Sequence, residues 1–137
     1  MLALTFDPTI DLGRSGARHG YGCFETVRVQ AGAPRWHRHH LARLAAGCAF
    51  LGLDAPPPED ALAEALGPHL APLARFARGV LHLVAVDGSL VATFGEAPPP
   101  PAAPARIAVA EAVTRFSRSP AARFKTLAYL ENRLLQR

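Results

Sequence analysis

Two runs rich in valine and leucine, joined by an Asp-Gly pair, constrain the fold of this sequence more than any other feature. The run Gly79–Val86 leads into Asp87-Gly88, and the run Leu90–Phe94 follows it. An Asp-Gly pair between two such runs is typical of a tight antiparallel hairpin. A third run, Cys23–Gln30, is rich in strand-forming residues and alternates between two sides. The sequence therefore predicts a small antiparallel sheet.

Two helices are predicted between these strands. A stretch over 39–51 carries apolar residues at helical spacing, namely Leu41, Leu44, Cys48 and Leu51. Gly52 stands where this helix would end, and Arg43 lies on its polar side. A second helix, over 59–66, is predicted to begin on Pro58 and to stop before Pro68.

Shorter elements complete the predicted order. Strands are expected at Leu2–Phe6, near Arg35-Trp36 after a turn over 31–34, and at Arg106–Ala110. Ser119-Pro120 resembles a helix start, and the helix would run to Arg137. The fold class predicted from this order is α+β, with a small antiparallel sheet that carries two helices on one face.

Composition and charge exclude several classes of protein. The 137 residues fit one domain, and half of them are hydrophobic. The net charge is +4, but the arginines are spread from Arg14 to Arg137 and no groove-reading motif accompanies them, so nucleic acid is not an expected partner. No apolar run approaches the roughly 18–20 residues that would span a bilayer. Cys23 and Cys48 form no C-x-x-C pair. We expect a soluble cytoplasmic protein with free thiols.

Lysine usage marks one position for chemistry. The chain has fourteen arginines and a single lysine, Lys125. A guanidinium stays protonated and is a poor nucleophile, whereas a primary amine is able to lose its proton and form an imine. A position that stayed lysine is therefore a candidate for amine chemistry, although one lysine could also persist by chance on the surface.

The histidine-rich segment 35–40 invites a metal interpretation, which the sequence does not favour. His37 and His40 have helical i, i+3 spacing, but no carboxylate or thiolate stands nearby in the sequence to complete a ligand set. We expect no metal, and a basic junction between strand and helix instead.

Three further motifs together resemble a known family. They are Gly20-Tyr21-Gly22-Cys23-Phe24-Glu25-Thr26-Val27-Arg28-Val29, His40-Leu41-Ala42-Arg43-Leu44 and Arg123-Phe124-Lys125-Thr126-Leu127. In this order they are similar to the glycine turn, the phosphate-binding arginine helix and the lysine segment of class IV pyridoxal-phosphate enzymes. That family includes aminotransferases and 4-amino-4-deoxychorismate lyases.

The resemblance implies roles for particular residues. Lys125 would hold pyridoxal 5'-phosphate as a Schiff base and act as the catalytic base, and Arg43 would bind the cofactor phosphate. Gly20 and Gly22 would allow positive φ and close backbone approach. His19, Tyr21 and Tyr129 are candidates for substrate binding.

Substrate and completeness stay open at this stage. His19 replaces the family's usual aromatic residue, Ala128 replaces a frequent asparagine, and the family's arginine–glycine loop is not recognisable around residues 87–89. The resemblance favours the lyase that releases pyruvate and leaves 4-aminobenzoate, a step of folate synthesis. Branched-chain or D-amino acid transamination is the close alternative. A non-catalytic truncated remnant or interaction domain and a basic nucleic-acid-binding module are two alternatives of other classes.

The resemblance also implies a domain division. Residues 1–112 would form the small N-terminal domain. Residues 113–137 would form an interdomain linker and the first helix of a truncated cofactor domain. We therefore expect a homodimer whose site a C-terminal domain completes, and an isolated chain that binds cofactor weakly.

Overall fold

The computed structural model describes residues 1–9, 11, 13–103 and 123–128, and within them five strands form one sheet. The strands are β1 (Ala3–Thr5), β2 (Gly22–Gln30), β3 (Ala33–Pro34), β4 (Gly79–Val86) and β5 (Ser89–Glu96). The helices are α1 (Ser15–His19), α2 (His37–Leu51) and α3 (Glu59–Leu70), and a 3-10 turn, Ala71–Arg75, follows α3. The strand order is β1-β5-β4-β2-β3.

Antiparallel pairing dominates the sheet, as the sequence predicted. β4 pairs with β2 on one side and with β5 on the other. Asp87 and Gly88 join β4 to β5 with φ angles of 49° and 85°, and Ala31 and Gly32 join β2 to β3 with φ angles of 51° and 75°. Positive φ at both central residues is the mark of the hairpin turn whose twist matches that of the strands. The predicted hairpin is confirmed.

β1 differs from the expected antiparallel arrangement, because it pairs parallel to β5. The Leu2 amide donates to the Ala55 carbonyl at 2.8 Å, and the Ala3 amide donates to the Gly88 carbonyl at 3.0 Å. The Leu2 side chain is 1% exposed and belongs to the core. Alternation in a sequence fixes which side chains are buried, but the direction of an edge strand depends on contacts that are distant in sequence.

The core lies between one face of the sheet and the two longer helices, which confirms the predicted α+β class. The inward side chains of the central strands are buried, namely Cys23, Glu25, Val27, Val29, Leu81, Leu83, Ala85, Leu90 and Ala92. α2 packs on β2 through Leu44 and Cys48. All of these side chains are apolar or weakly polar except one, the carboxylate of Glu25.

α2 begins two residues before its predicted start and ends where predicted. Trp36 has a φ of 50° and turns the chain into the helix at His37. Gly52 has a φ of 66°, and its amide donates to the carbonyls of Ala49 and Cys48. This left-handed glycine satisfies carbonyl groups that the last helical turn leaves free.

α3 continues past Pro68, so its predicted end was wrong. Proline removes one backbone hydrogen bond and crowds the preceding turn. The buried leucines nevertheless keep their helical spacing through the proline, at Leu62, Leu66 and Leu70. Burial of a full leucine side chain stabilises by roughly 1.5–3 kcal/mol, which offsets much of the local cost of about 3 kcal/mol.

Other predicted elements shift or fall outside the described residues. The return strand expected near Arg35-Trp36 lies at Ala33–Pro34, and α1 was not predicted. The predicted strand at Arg106–Ala110, the helix from Pro120 and the boundary at 112/113 lie outside the residues that the structure describes. Among the described helices, none has both the length and the apolar character that crossing a bilayer requires.

Candidate functional site

The segment that carries Lys125 lies along the first residues of β2. The Phe24 amide donates to the Lys125 carbonyl at 2.9 Å, and the Leu127 amide donates to the Gly22 carbonyl at 2.8 Å. Between them, Cys23 and Thr126 form an antiparallel bridge. The far end of the sequence is thereby attached to the strand that follows the glycine turn.

The two glycines of that turn permit this attachment in different ways. Gly20 has a φ of 63°, and a Cβ there would stand 3.1 Å from the Ala128 nitrogen. At Gly22, a Cβ would stand 2.6 Å from the Ala85 carbonyl oxygen and 2.7 Å from a methyl group of Leu127. Glycine at position 20 permits the positive φ, whereas glycine at position 22 permits the close approach of the Ala85 carbonyl and Leu127.

The Lys125 amine lies over an aromatic ring. Its Nζ atom lies 4.6 Å from the centroid of the Phe24 ring. A cation in this position is attracted by the face of the ring. The side chain is partly buried, and its charge also acts on Glu25, the next residue along β2.

Glu25 is the buried charged residue around which the site is arranged. Its side chain is 1% exposed. It accepts hydrogen bonds from Arg43 Nε at 2.5 Å, from Arg43 Nη2 at 2.7 Å and from His40 Nδ1 at 2.8 Å. Burial alone would raise the pKa of Glu25, but these hydrogen bonds and the charges of Arg43 and Lys125 hold it below its usual value.

Arg43 reaches from α2 to Glu25 and remains half exposed. Arg43 directly precedes Leu44, a buried residue of α2 that packs on the sheet. The side chain of Arg43 is 51% exposed. The guanidinium presents one edge, Nε and Nη2, to the carboxylate. An open hollow of about 420 Å³ adjoins it, lined by Trp36, His39, His40 and Arg43.

Comparison with protein families places the chain in a known family. The family model described as amino-transferase class IV matches residues 22–137. The chain belongs to this family. The match confirms the resemblance drawn from the three motifs, and with it a family of pyridoxal-phosphate-dependent aminotransferases and lyases.

Solved structures of class IV proteins are similar to the chain. One is provisionally assigned as a 4-amino-4-deoxychorismate lyase, with 26% identity and a TM-score of 0.64 over 92% of this chain and 52% of that one. The fold IV transaminase CpuTA1 from Curtobacterium pusillum has 23% identity and a TM-score of 0.64, over 93% of this chain and 50% of that one.

A third structure, a hypothetical aminotransferase from Mycobacterium tuberculosis in its PLP-bound form, has 23% identity and a TM-score of 0.54, over 67% of this chain and 35% of that one. At identities of 23% the likeness concerns the fold. The chain spans about half the length of the first two structures. A comparison with curated protein sequences finds no match.

The chemistry of the candidate site residues fits a phosphorylated cofactor. A guanidinium has five N–H donors in a planar fork, and Glu25 occupies the Nε edge of Arg43. Among the described residues, no partner engages Nη1, so Nη1 and the second N–H of Nη2 remain as donors for another oxyanion at the half-exposed side chain. Lys125 supplies the one side-chain primary amine of the sequence.

Two of the predicted substrate-binding residues lie at the turn before β2. His19 is exposed at the end of α1. Tyr21 is 43% exposed, and its hydroxyl donates to the Leu51 carbonyl at the end of α2. Tyr129 lies outside the residues that the structure describes.

Glu25 and Phe24 are candidate site residues to which the sequence interpretation gave no role. A signal for Glu25 was present, because strict alternation in β2 places it on the same side as Cys23 and Val27. An acidic residue at an inward position of a strand requires a partner, and Arg43 and His40 are those partners.

The histidines of the basic junction are paired with carboxylates that are distant in sequence. His37 Nε2 lies 2.8 Å from Glu59, and His40 Nδ1 lies 2.8 Å from Glu25. Each of these histidines therefore has one carboxylate partner, which lies in a different part of the sequence. Within the described residues, no group of three or more metal-binding side chains is present.

Proposed function

We propose that this chain forms the small-domain half of a pyridoxal-phosphate site, with Lys125 as the covalent anchor and Arg43 as the phosphate ligand. The observation that carries the proposal is the convergence of both residues on the start of β2. The Lys125 backbone pairs with Phe24, and the Arg43 side chain pairs with the adjacent Glu25. Lys125 and Arg43, which are distant in sequence, thus both contact the dipeptide Phe24-Glu25.

The bound cofactor would supply an electron-withdrawing ring that weakens bonds at the α-carbon of an amino substrate. The chain's own groups would do the rest. The Lys125 amine would hold the cofactor and later carry a proton to or from the α-carbon. Arg43 would fix the phosphate, and Phe24 would cover one side of the amine and limit its access to water.

We further propose that the whole protein is a 4-amino-4-deoxychorismate lyase, which releases pyruvate from an amino-chorismate. The support is the 26% identical structure provisionally assigned to that activity, which is matched over 92% of this chain. His19, Tyr21 and Tyr129 remain candidates for contact with the substrate. The proposal also includes folate synthesis as the role, a cytoplasmic location, a homodimer and a completing C-terminal domain after residue 112.

Covalent trapping tests the cofactor proposal. The chain is mixed with pyridoxal phosphate, its absorbance spectrum is recorded, and borohydride reduction is followed by peptide mapping. We expect a label on Lys125, formed only at high cofactor concentration in the isolated chain. Lys125→Arg keeps the charge and serves as the control. A label confined to the Met1 amine, or none when the family's larger domain is supplied, would overturn the assignment.

A product assay separates the lyase from the transaminase. The protein with its completing domain is given 4-amino-4-deoxychorismate, and release of pyruvate is measured without any keto acid present. The lyase proposal requires pyruvate and 4-aminobenzoate in equal amounts. Amino transfer from branched-chain or D-amino acids to a keto acid, without pyruvate release, would favour the alternative.

A further inference from the structure

The Glu25 carboxylate uses both of its oxygens on groups that border the hollow. Oε1 accepts from Arg43 Nε, and Oε2 accepts from Arg43 Nη2 and from His40 Nδ1. The carboxylate itself faces the core from β2, where Cys23 and Val27 are its inward neighbours. Arg43 and His40 both belong to α2 and both line the hollow of about 420 Å³.

Burial of the carboxylate makes these partners obligatory. An ionised carboxylate in the interior is costly unless it is paired and hydrogen-bonded. A guanidinium that gives its Nε edge to such a carboxylate loses the freedom to turn about its last side-chain bonds. Its remaining Nη donors are therefore held in one direction, away from the core and towards the exposed side.

His40 is fixed by the same carboxylate. An ionised carboxylate only accepts hydrogen bonds, so the Nδ1 atom at 2.8 Å must carry a hydrogen. This contact sets the orientation of the ring, and the other nitrogen, Nε2, has no hydrogen-bond partner among the described residues. One buried anion thereby orients two side chains on the same helix.

A purely structural role explains this arrangement poorly. An apolar side chain at position 25 would continue the inward row of Cys23, Val27 and Val29 without any desolvation cost. The arginine is half exposed and fills no core volume that a leucine could not fill. The presence of a carboxylate at position 25 is better explained by its effect on the orientation of Arg43 and His40.

We infer that Glu25 is a positioning residue that aims the free end of Arg43, together with His40, at an anionic phosphate group in the hollow lined by Trp36. This inference rests on the proposed cofactor site and names how its phosphate end is built. The same geometry would bind the phosphate of the cofactor or free inorganic phosphate.

Charge and positioning make opposite predictions for Glu25→Gln. Removal of a negative charge beside Arg43 raises the positive potential of the hollow, and charge alone would then tighten phosphate binding. Loss of orientation would weaken phosphate binding instead. The sign of the change therefore separates the two effects.

Trp36 is the single tryptophan of the sequence and lines the hollow, so its fluorescence reports occupancy. The chain is titrated with pyridoxal phosphate, with pyridoxal, which lacks the phosphate, and with inorganic phosphate. For Glu25→Gln we expect the preference for pyridoxal phosphate over pyridoxal to fall by about tenfold or more, the scale of a misplaced contact. Affinity for inorganic phosphate should fall in parallel, while affinity for pyridoxal stays unchanged.

Glu59→Gln is the matched control. Glu59 accepts from His37 Nε2 and Arg38 Nε at the start of α2, and among the described residues it has no hydrogen bond with Arg43. Its removal changes the net charge by the same amount as Glu25→Gln. We expect the preference for the phosphorylated ligand to persist in this control.

Arg43→Gln completes a double-mutant cycle. If Glu25 acts through Arg43, Glu25→Gln has no further effect on the phosphate preference in the Arg43→Gln background. Should Glu25→Gln fail to fold, Glu25→Asp keeps the charge and withdraws it by one methylene, and the preference should then fall several-fold.

Two results would overturn the inference. One is an unchanged or increased phosphate preference in Glu25→Gln, or in Glu25→Asp where that variant is used. The other is a wild-type Trp36 that does not respond to inorganic phosphate. Failure of borohydride to label Lys125 would instead refute the proposed function, and the titration with inorganic phosphate would still decide the role of Glu25.

Discussion

At the scale of single residues, the ionisation of Glu25 links the site to the stability of the fold. Its pKa lies below the usual value in the folded chain, despite burial, because Arg43 and His40 stabilise the charged form. A lowered pKa contributes stability above the unfolded-state value, about 4.5, and that contribution is lost as the pH falls through the folded-state pKa. We expect the melting temperature of the wild type to drop on acidification below that region.

The Glu25→Gln variant should lack this part of the acid dependence and be less stable at pH 7 by about 1.5–3 kcal/mol, the value of hydrogen bonds to a charged group. Thermal melts from pH 7 to pH 3 measure both effects. Asp7 and Glu59 also have lowered pKa values, but they are present in both proteins and cancel in the difference. Parallel curves for the two proteins would contradict the link.

Gly22 shows how one missing side chain brings the lysine segment to the sheet. A Cβ there would lie 2.6 Å from the Ala85 oxygen and 2.7 Å from Leu127. We expect Gly22→Ala to displace the 125–127 segment and to lower stability by about 1–3 kcal/mol, as overpacking does. Gly95→Ala is the control, because the nearest atom to its Cβ would be Val80 Cγ1 at 4.0 Å. A variant at Gly22 as stable as that control would refute the close-contact explanation.

The site residues differ in how far the sequence alone reveals them. Lys125 and Arg43 stand in motifs whose residue types and order are specific. Glu25 stands in the first motif as well. The alternation of β2 predicts that the inward side chains are apolar, and it does not explain why the one at position 25 is charged. What identifies its role is the pairing with α2, and no spacing in the sequence encodes that contact.

At the scale of elements, the packing of α2 and α3 on the sheet leaves an apolar cavity of about 250 Å³. Val27 is buried and lines it, whereas Val29 is buried and does not. Val27→Ile adds one methyl group to the cavity and should stabilise the chain by about 0.8 kcal/mol. Val29→Ile should destabilise it, because Val29 is 0% exposed and does not line this cavity, so the added methyl group would overpack the core.

Chemical denaturation of both variants measures the difference, with the slope against denaturant checked for constancy. Equal changes in the free energy of unfolding for Val27→Ile and Val29→Ile would show that the cavity does not accommodate the added methyl group at Val27. Both positions lie in β2, and both substitutions conserve branching at Cβ and strand propensity. These factors therefore do not differ between the two variants.

The elements themselves were predictable to different degrees for physical reasons. β4 and its hairpin follow from alternation and from Asp87-Gly88, which are local signals. The end of α3 was misjudged because Pro68 is also a local signal, whereas the burial of Leu70 that overrides it is tertiary. The direction of β1 depends on Gly88 and Ala55, which are far away in sequence.

At the scale of the whole molecule, the proposed cofactor site depends on a segment late in the sequence that pairs with an early strand. Among the described residues, two backbone hydrogen bonds hold 125–127 to β2, one from Phe24 and one from Leu127. The β2–β4 ladder extends over eight residue pairs. We therefore expect the Leu127 amide to exchange with solvent faster than the ladder amides, by local opening of the segment.

Pyridoxal phosphate should slow this opening, because a ligand bound to both Lys125 and Arg43 would link the segment to α2 across β2. Linkage predicts that the equilibrium constant for opening falls by a factor of 1 + [L]/Kd, where [L] is the free ligand concentration. This factor is about a hundredfold when [L] is 100 times Kd. Hydrogen exchange at Leu127 and Phe24 measures the effect, with Lys125→Arg as a control that should show little slowing. Pyridoxal reaches Lys125 but has no phosphate for Arg43, so it should slow exchange less than pyridoxal phosphate does. Equal slowing by the two ligands would mean that the phosphate contact does not hold the segment, and the bridging role of Arg43 would have to be abandoned.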